Sequence, residues 1–199
     1  MIPSLKKLKE GNRRFVQGQS EQTIESIISQ RNASVEGQKP FAVILGCSDS
    51  RVPAELVFDQ GLGDLFVIRV AGNVVAPSQI GSVEYAVSMF GTPLVVVLGH
   101  SNCGAVDATI QAIKNPDEPA SISIQSIVKR IKPALEPMLI NQSIDQVKVN
   151  LRVAANIKQP VAQLLSPSEI IESRVDNQQL QVLGAYYDLE TGQVTFYED

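Results

Sequence analysis

The chain has no tryptophan, one histidine and two cysteines among its 199 residues, and aromatics make up only 5% of it. Each shortage excludes something. Two cysteines cannot build the disulfide framework of a small secreted scaffold, and a chain this long buries enough surface to do without one. The N-terminus carries no signal-type apolar core, so the expected compartment is the cytoplasm, with export only if a signal peptide was removed before Met1. No apolar run approaches the roughly 18 residues that span a bilayer, Leu94 to Leu98 being among the longest, so a membrane partner is excluded. Neither sign of charge dominates: 17 basic against 21 acidic residues give a net charge of −4. With no strong basic stripe, nucleic acid is excluded as a partner too. What remains, 44% hydrophobic and 19% charged, is a globular composition. Residues 1–199 read as one domain, of which 1–18 form an N-terminal amphipathic helical arm.

Apolar periodicity supplies the elements. Ser4 to Gln17 sets Leu5, Leu8, Phe15 and Val16 at helical spacing among basic residues, and Gly18 stops it. Its thin apolar face suits packing against protein. Phe41 to Cys47, Leu65 to Val70 and Leu94 to His100 are continuous apolar runs, the signature of strands buried on both faces. Ser78 to Phe90 lies between the second and third as a helix. Helical stretches follow His100 and cover Ile122 to Leu139 and Val147 to Leu165, where Pro160 is expected to introduce a kink. Ser166 to Glu169 reads as a capping box for a short helix from Pro167 to Ser173. Leu180 to Tyr187 and Gln193 to Tyr197 form a strand pair about a Thr-Gly turn. The fold class is therefore α/β, with a mostly parallel central sheet, flanking helices, an antiparallel C-terminal strand and an N-terminal helical arm.

The scarce residues fall in telling places. Cys47 and His100 end buried strands, and Cys103 opens the helix after His100. Ligands of open α/β sheets bind at those strand ends. Two thiolates and an imidazole match an open zinc site, whereas a structural site commonly draws four ligands from paired C-x-x-C motifs that are absent here. The plain alternative is two small buried thiols and a turn histidine. Asp49 and Arg51 follow Cys47 in a polar turn where a guanidinium can hold a carboxylate in two bonds, or form an ordinary surface ion pair. A cysteine phosphatase is excluded, because its C-x5-R loop would need arginine where Pro53 stands.

The runs Cys47-Ser-Asp-Ser-Arg-Val52 and Gly99-His-Ser-Asn-Cys-Gly104 resemble the two signature motifs of the β-class carbonic anhydrases, in the same order and at similar separation. Gly11-Asn-Arg-Arg-Phe15, Asp64 to Arg69, Ser82 to Val87 and Gly184 to Asp188 resemble further landmarks, so the likeness covers most of the chain. The resemblance implies a Zn2+ ion held by Cys47, His100 and Cys103, with Asp49 and Arg51 as the catalytic dyad. It places Gln38, Phe66 and Tyr85 in the carbon dioxide pocket of plant-type members, with Tyr85 reaching across from a second subunit. It also implies a dimer or higher even oligomer, for which the N-terminal helix is a candidate clasp. Bacterial members with an inhibitory bicarbonate site carry tryptophan three residues before the first cysteine, and this chain has Ile44 there. The run Val70-Ala-Gly-Asn73 departs from the many members that place asparagine directly after the arginine.

The implied activity is the reversible hydration of carbon dioxide to bicarbonate and a proton by zinc-bound hydroxide, with Asp49, fixed by Arg51, accepting the hydroxide proton. Should the pair break, Asp49 can turn onto the metal as a fourth ligand and close the site; the absent tryptophan favours the open state. Two alternatives share the scaffold, a zinc-holding homologue without catalysis and a hydrolase of carbon disulfide or carbonyl sulfide. The first need not keep Asp49, Arg51 and the pocket residues, all of which are present.

Overall fold

The computed structural model describes residues 2–117, 121–139, 147–166 and 168–198. Among these, β1 (Ala42–Gly46), β2 (Leu65–Arg69), β3 (Leu94–His100), β4 (Gln181–Tyr187) and β5 (Val194–Tyr197) form one sheet in the order β2-β1-β3-β4-β5. The first four are parallel and β5 returns antiparallel to β4, as the alternation of apolar runs and helical stretches predicts. The chain leaves β1 toward β2 and leaves β3 toward β4, in opposite directions. Such a reversal opens a crevice at the carboxyl ends of the two strands, where Cys47 and His100 stand.

Every residue of β1 and β3 is buried, because helices cover both sheet faces. On one face α1 (Pro3–Gln17) and α3 (Ala54–Val57) set Leu5, Leu8, Val57 and Phe58 over Ile44, Val96 and Leu98. On the other, α4 (Pro77–Phe90), α7 (Val149–Leu165) and α8 (Glu169–Asp176) cover Val43, Leu45, Val95 and Val97. Of these, α7 comes close at two glycines: a Cβ on Gly99 or Gly184 would lie 2.6 or 2.4 Å from Ile157. A third cluster joins Cys47 and Cys103 to Val106 and Ile110 of α5 (Gly104–Lys114) and to Ile131 and Leu135 of α6 (Ile122–Leu135).

The N-terminal helix uses its apolar face on its own chain. Leu5 and Leu8 are fully buried, and Asn12 bridges two segments by donating to the Val57 and Gly192 carbonyls and accepting from Val194 N–H. Arg14 Nε donates to Asp59 at 2.5 Å. Gly18 ends the helix in the left-handed region, φ 65°, as expected of a C-terminal glycine.

Two expectations are corrected and one helix is added. The cap of α8 is Ser168 rather than Ser166: Ser168 Oγ accepts from Ile171 N–H at 3.2 Å and donates to Glu84 Oε1 at 2.6 Å. That second bond, to α4, draws the buried serine inward and makes Glu169 the first helical residue; Pro167 lies outside the described residues. The stretch expected to end at Leu139 is α-helical only to Leu135 and continues as a 3-10 turn over Glu136–Leu139, where Pro137 has no N–H to extend the ladder. A helix the periodicity did not announce, α2 (Ile24–Ala33), is capped reciprocally by Thr23 and Ser26 and buries none of its residues.

Candidate metal centre

Two strands and one helix start converge on the crevice. Cys47 follows β1, His100 closes β3, and Cys103 is the N-cap of α5. Their sulfur and nitrogen donors lie within 4.8 Å of one another, and all three residues are buried. His100 Nδ1 donates to the Ser101 carbonyl at 2.8 Å, which fixes the tautomer and leaves the Nε2 lone pair facing the thiols. Nε2 is buried without a hydrogen-bond partner. An orphaned, aimed imidazole nitrogen beside two free cysteines could hold a metal ion, and its chemistry fits zinc with an open position.

Charge within the cluster points the same way. Cys103 and the Gly72 N–H, 3.2 Å from Cys47 Sγ, stabilise Cys47 as a thiolate and hold it well below the ordinary thiol range. Cys103, bonded to that thiolate and buried, is pushed up. The two sulfurs therefore share one proton, which a bound cation displaces. Burial would lower His100, but the neighbouring Cys47 sulfur and the bond to the Ser101 carbonyl override that and raise it.

Beside the donors stands the pair Asp49 and Arg51. Arg51 holds the carboxylate well below the usual range and also reaches the Asn102 carbonyl at 3.2 Å, so it spans both motif loops. Arg69, at the end of β2, donates to the Cys47 carbonyl at 3.0 Å and the Asp49 carbonyl at 2.5 Å, pinning the loop between them. Sequence reading assigned Arg69 no role at the site. Its signal was a charged residue ending a buried strand next to the Cys47 strand. Gly72 was likewise missed.

The three expected pocket residues are not assembled in one chain. Phe66 and Tyr85 are ring neighbours at 6.3 Å, joined by Phe90. Phe66, however, pairs with Val43, four residues before Cys47, or ~13 Å of strand from the donors. Gln38 is exposed in the segment before β1, on a depression shared with Gln30, Leu62 and Asp64.

Comparison with known proteins agrees with this geometry. Residues 42–194 match the carbonic anhydrase family. The chain is 40% identical over 191 residues to carbonic anhydrase 2 of Mycobacterium tuberculosis, covering 96% of this chain and 90% of that protein. It is 40% identical over 194 residues to a carbonic anhydrase of Mycolicibacterium smegmatis, covering 97% and 91%. Among solved structures, the β-carbonic anhydrase CcaA superposes with a TM-score of 0.77 at 27% identity, over 97% of this chain and 87% of that one. A tetrameric β-carbonic anhydrase of Sordaria macrospora shares the fold, with a TM-score of 0.71 at 21% identity over 88% and 91%. The chain belongs to the β-class carbonic anhydrase family.

Proposed function

We propose that the chain binds one zinc ion through Cys47, His100 and Cys103 and catalyses the reversible hydration of carbon dioxide to bicarbonate and a proton. The observation that carries this is the buried Cys2His donor set at the β1 and β3 carboxyl ends with an Arg-held carboxylate at its edge. Zinc, when bound, supplies the Lewis acidity that makes hydroxide available from water near neutral pH. The chain's own groups do the rest. His100, locked by Ser101, and the two sulfurs fix the ion. Asp49, kept ionised by Arg51, accepts a hydrogen bond from a ligand carrying a proton, which orients that ligand's lone pair and disfavours ligands with no donor. Arg51 and Arg69 keep Asp49 in place from its side chain and its backbone.

Self-association completes the pocket. Because Phe66 is remote from its own chain's donors, Phe66, Tyr85 and Gln38 serve best as the wall of a site on an adjoining copy. Tyr85 is 52% exposed and Met89 65%, and α2 turns Ile24 and Ile28 outward; surfaces of this kind mark interfaces. A dimer, or a higher even oligomer, is the active form. Neither cysteine is in a disulfide, which suits a reducing compartment, the cytoplasm. Among the described residues no helix is long and apolar enough to cross a membrane.

Stopped-flow hydration of carbon dioxide, run beside carbon disulfide and carbonyl sulfide hydrolysis on protein of measured zinc content, tests the reading. Fast hydration with little turnover of the sulfur substrates is expected; a zinc-loaded protein inert toward carbon dioxide overturns it.

A further inference from the structure

We propose that Asn156 is a positioning residue for the Cys47 sulfur, and that Pro160 makes it one by leaving the Asn156 carbonyl free. The proposal rests on Cys47 being a metal ligand. In an α-helix the carbonyl of residue i accepts from the N–H of residue i+4. For Asn156 that residue is Pro160, inside α7 and without an N–H. A buried carbonyl must find another donor. It finds Asn73 Nδ2 at 3.3 Å, while Asn156 Nδ2 donates to the Gly72 carbonyl at 3.1 Å. One residue of α7 thereby holds two consecutive residues of the turn Ala71–Asn73, and both asparagines are buried.

That turn carries the N–H that reaches Cys47 Sγ at 3.2 Å. Both of its held residues are left-handed, Gly72 at φ 70° and Asn73 at φ 46°. Glycine moves freely between conformations, so its N–H stays on the sulfur only if something outside the turn holds it. Packing does part of this: a Cβ on Gly72 would lie 2.7 Å from Ile131 and 2.9 Å from Ala105. The two Asn156 bonds do the rest. The helix offering them is itself placed by the contact of Ile157, next along α7, with Gly99, which directly precedes His100. A hydrogen bond to a ligand sulfur both aims it and withdraws charge from it, and partners of this kind are worth about 10- to 100-fold in metal affinity or activity.

The test uses purified full-length protein with zinc, and with cobalt in its place. Asn156→Ala is expected to release zinc to a chromophoric chelator about 10- to 100-fold faster than the parent and to shift the cobalt–thiolate charge-transfer band. Should that variant fail to fold, Pro160→Ala carries the test. It returns an N–H to the Asn156 carbonyl, so it is expected to melt no lower than the parent yet release zinc faster and move the band the same way, by less. Ile171→Val, a core change on α8, is expected to alter neither readout. Parent-like release and parent-like cobalt spectra in both Asn156→Ala and Pro160→Ala overturn the proposal, as does equally fast release from Ile171→Val. A parent protein that takes up neither metal overturns the metal site itself, a result separable from the others.

Discussion

Arg51 meets Asp49 in two parallel bonds, Nε to Oδ1 at 2.9 Å and Nη2 to Oδ2 at 2.7 Å, while Asp49 Oδ2 stands 3.9 Å from His100 Nε2. The carboxylate is near enough to serve a ligand in the site and is held from turning onto the donors. Asp49→Asn is expected to retain about one zinc per chain and lose most carbon dioxide hydration. Elemental analysis with stopped-flow rates checks both halves; undiminished hydration removes Asp49 from the reaction.

The same pair predicts a pH response. Asp49's carboxyl is depressed in the folded protein by the Arg51 side chain, then by the Arg51 N–H. For a depressed acid, the stability contributed is present above the unfolded value, near 4, and is lost as pH falls through the folded one. The pair therefore adds no slope between pH 5 and 8. Arg51→Ala releases the carboxyl toward its ordinary range, so the acid limb of the hydration profile is expected at higher pH than in the parent. A pH–rate profile over pH 4–8 reads the displacement; coincident limbs contradict it.

Metal loading should release protons. Cys47 and Cys103 share one between them, and zinc requires both sulfurs deprotonated. At least about one proton per zinc is expected at pH 7, by calorimetry in buffers of different ionisation enthalpy, with affinity falling as pH drops. Cys47→Ser or His100→Ala should lose the metal; full zinc and activity in either would dismiss this donor set.

Leu8, fully buried on the α1 face, predicts a fold effect, the helix packing on its own chain where the sequence left its own chain and a partner both open. Leu8→Ala should cost about 2–5 kcal/mol of stability by denaturant titration. Removing residues 1–18 should destabilise the subunit before its association can be measured; a truncated chain with parent stability would return the helix to the role of a clasp.

His100 is the chain's only histidine, and once bound to metal it cannot carry protons. Side chains that titrate near neutrality are the efficient relays. The maximal hydration rate is therefore expected to rise with imidazole-type buffer at constant pH and ionic strength, then level off. A rate flat from low millimolar buffer upward reveals an internal relay.

The sheet, the gathering of Cys47, His100 and Cys103, and the Asp49–Arg51 pair were legible because they are written locally. Apolar runs such as Leu94–Leu98 announce buried strands, and rare residue types at their ends announce chemistry. What was not legible depends on distant partners. Arg69 looks like a strand-end charge until β2 lies beside β1. Asn156 is an unremarked helical asparagine until Gly72 arrives beneath it, although an asparagine four residues before a proline already leaves a carbonyl without its donor. Ser168 takes the place of Ser166 as a cap with its hydroxyl also anchored to Glu84, a partner far along the chain, and α2 went unnoticed because it buries nothing in its own chain.

Parallel pairing of β1 with β3 brings Cys47 to His100 and Cys103. Parallel partners need a long crossover, so this contact closes late relative to local helices. During synthesis or refolding, His100 and Cys103 are neighbours early and can offer an ion only two ligands; the third comes with the centre of the sheet. Zinc that binds the completed trio but not the open chain favours the native state by mass action. Metal scarcity would then show first as slowed maturation, with newly made subunits remaining protease-sensitive longer than those supplied with the ion.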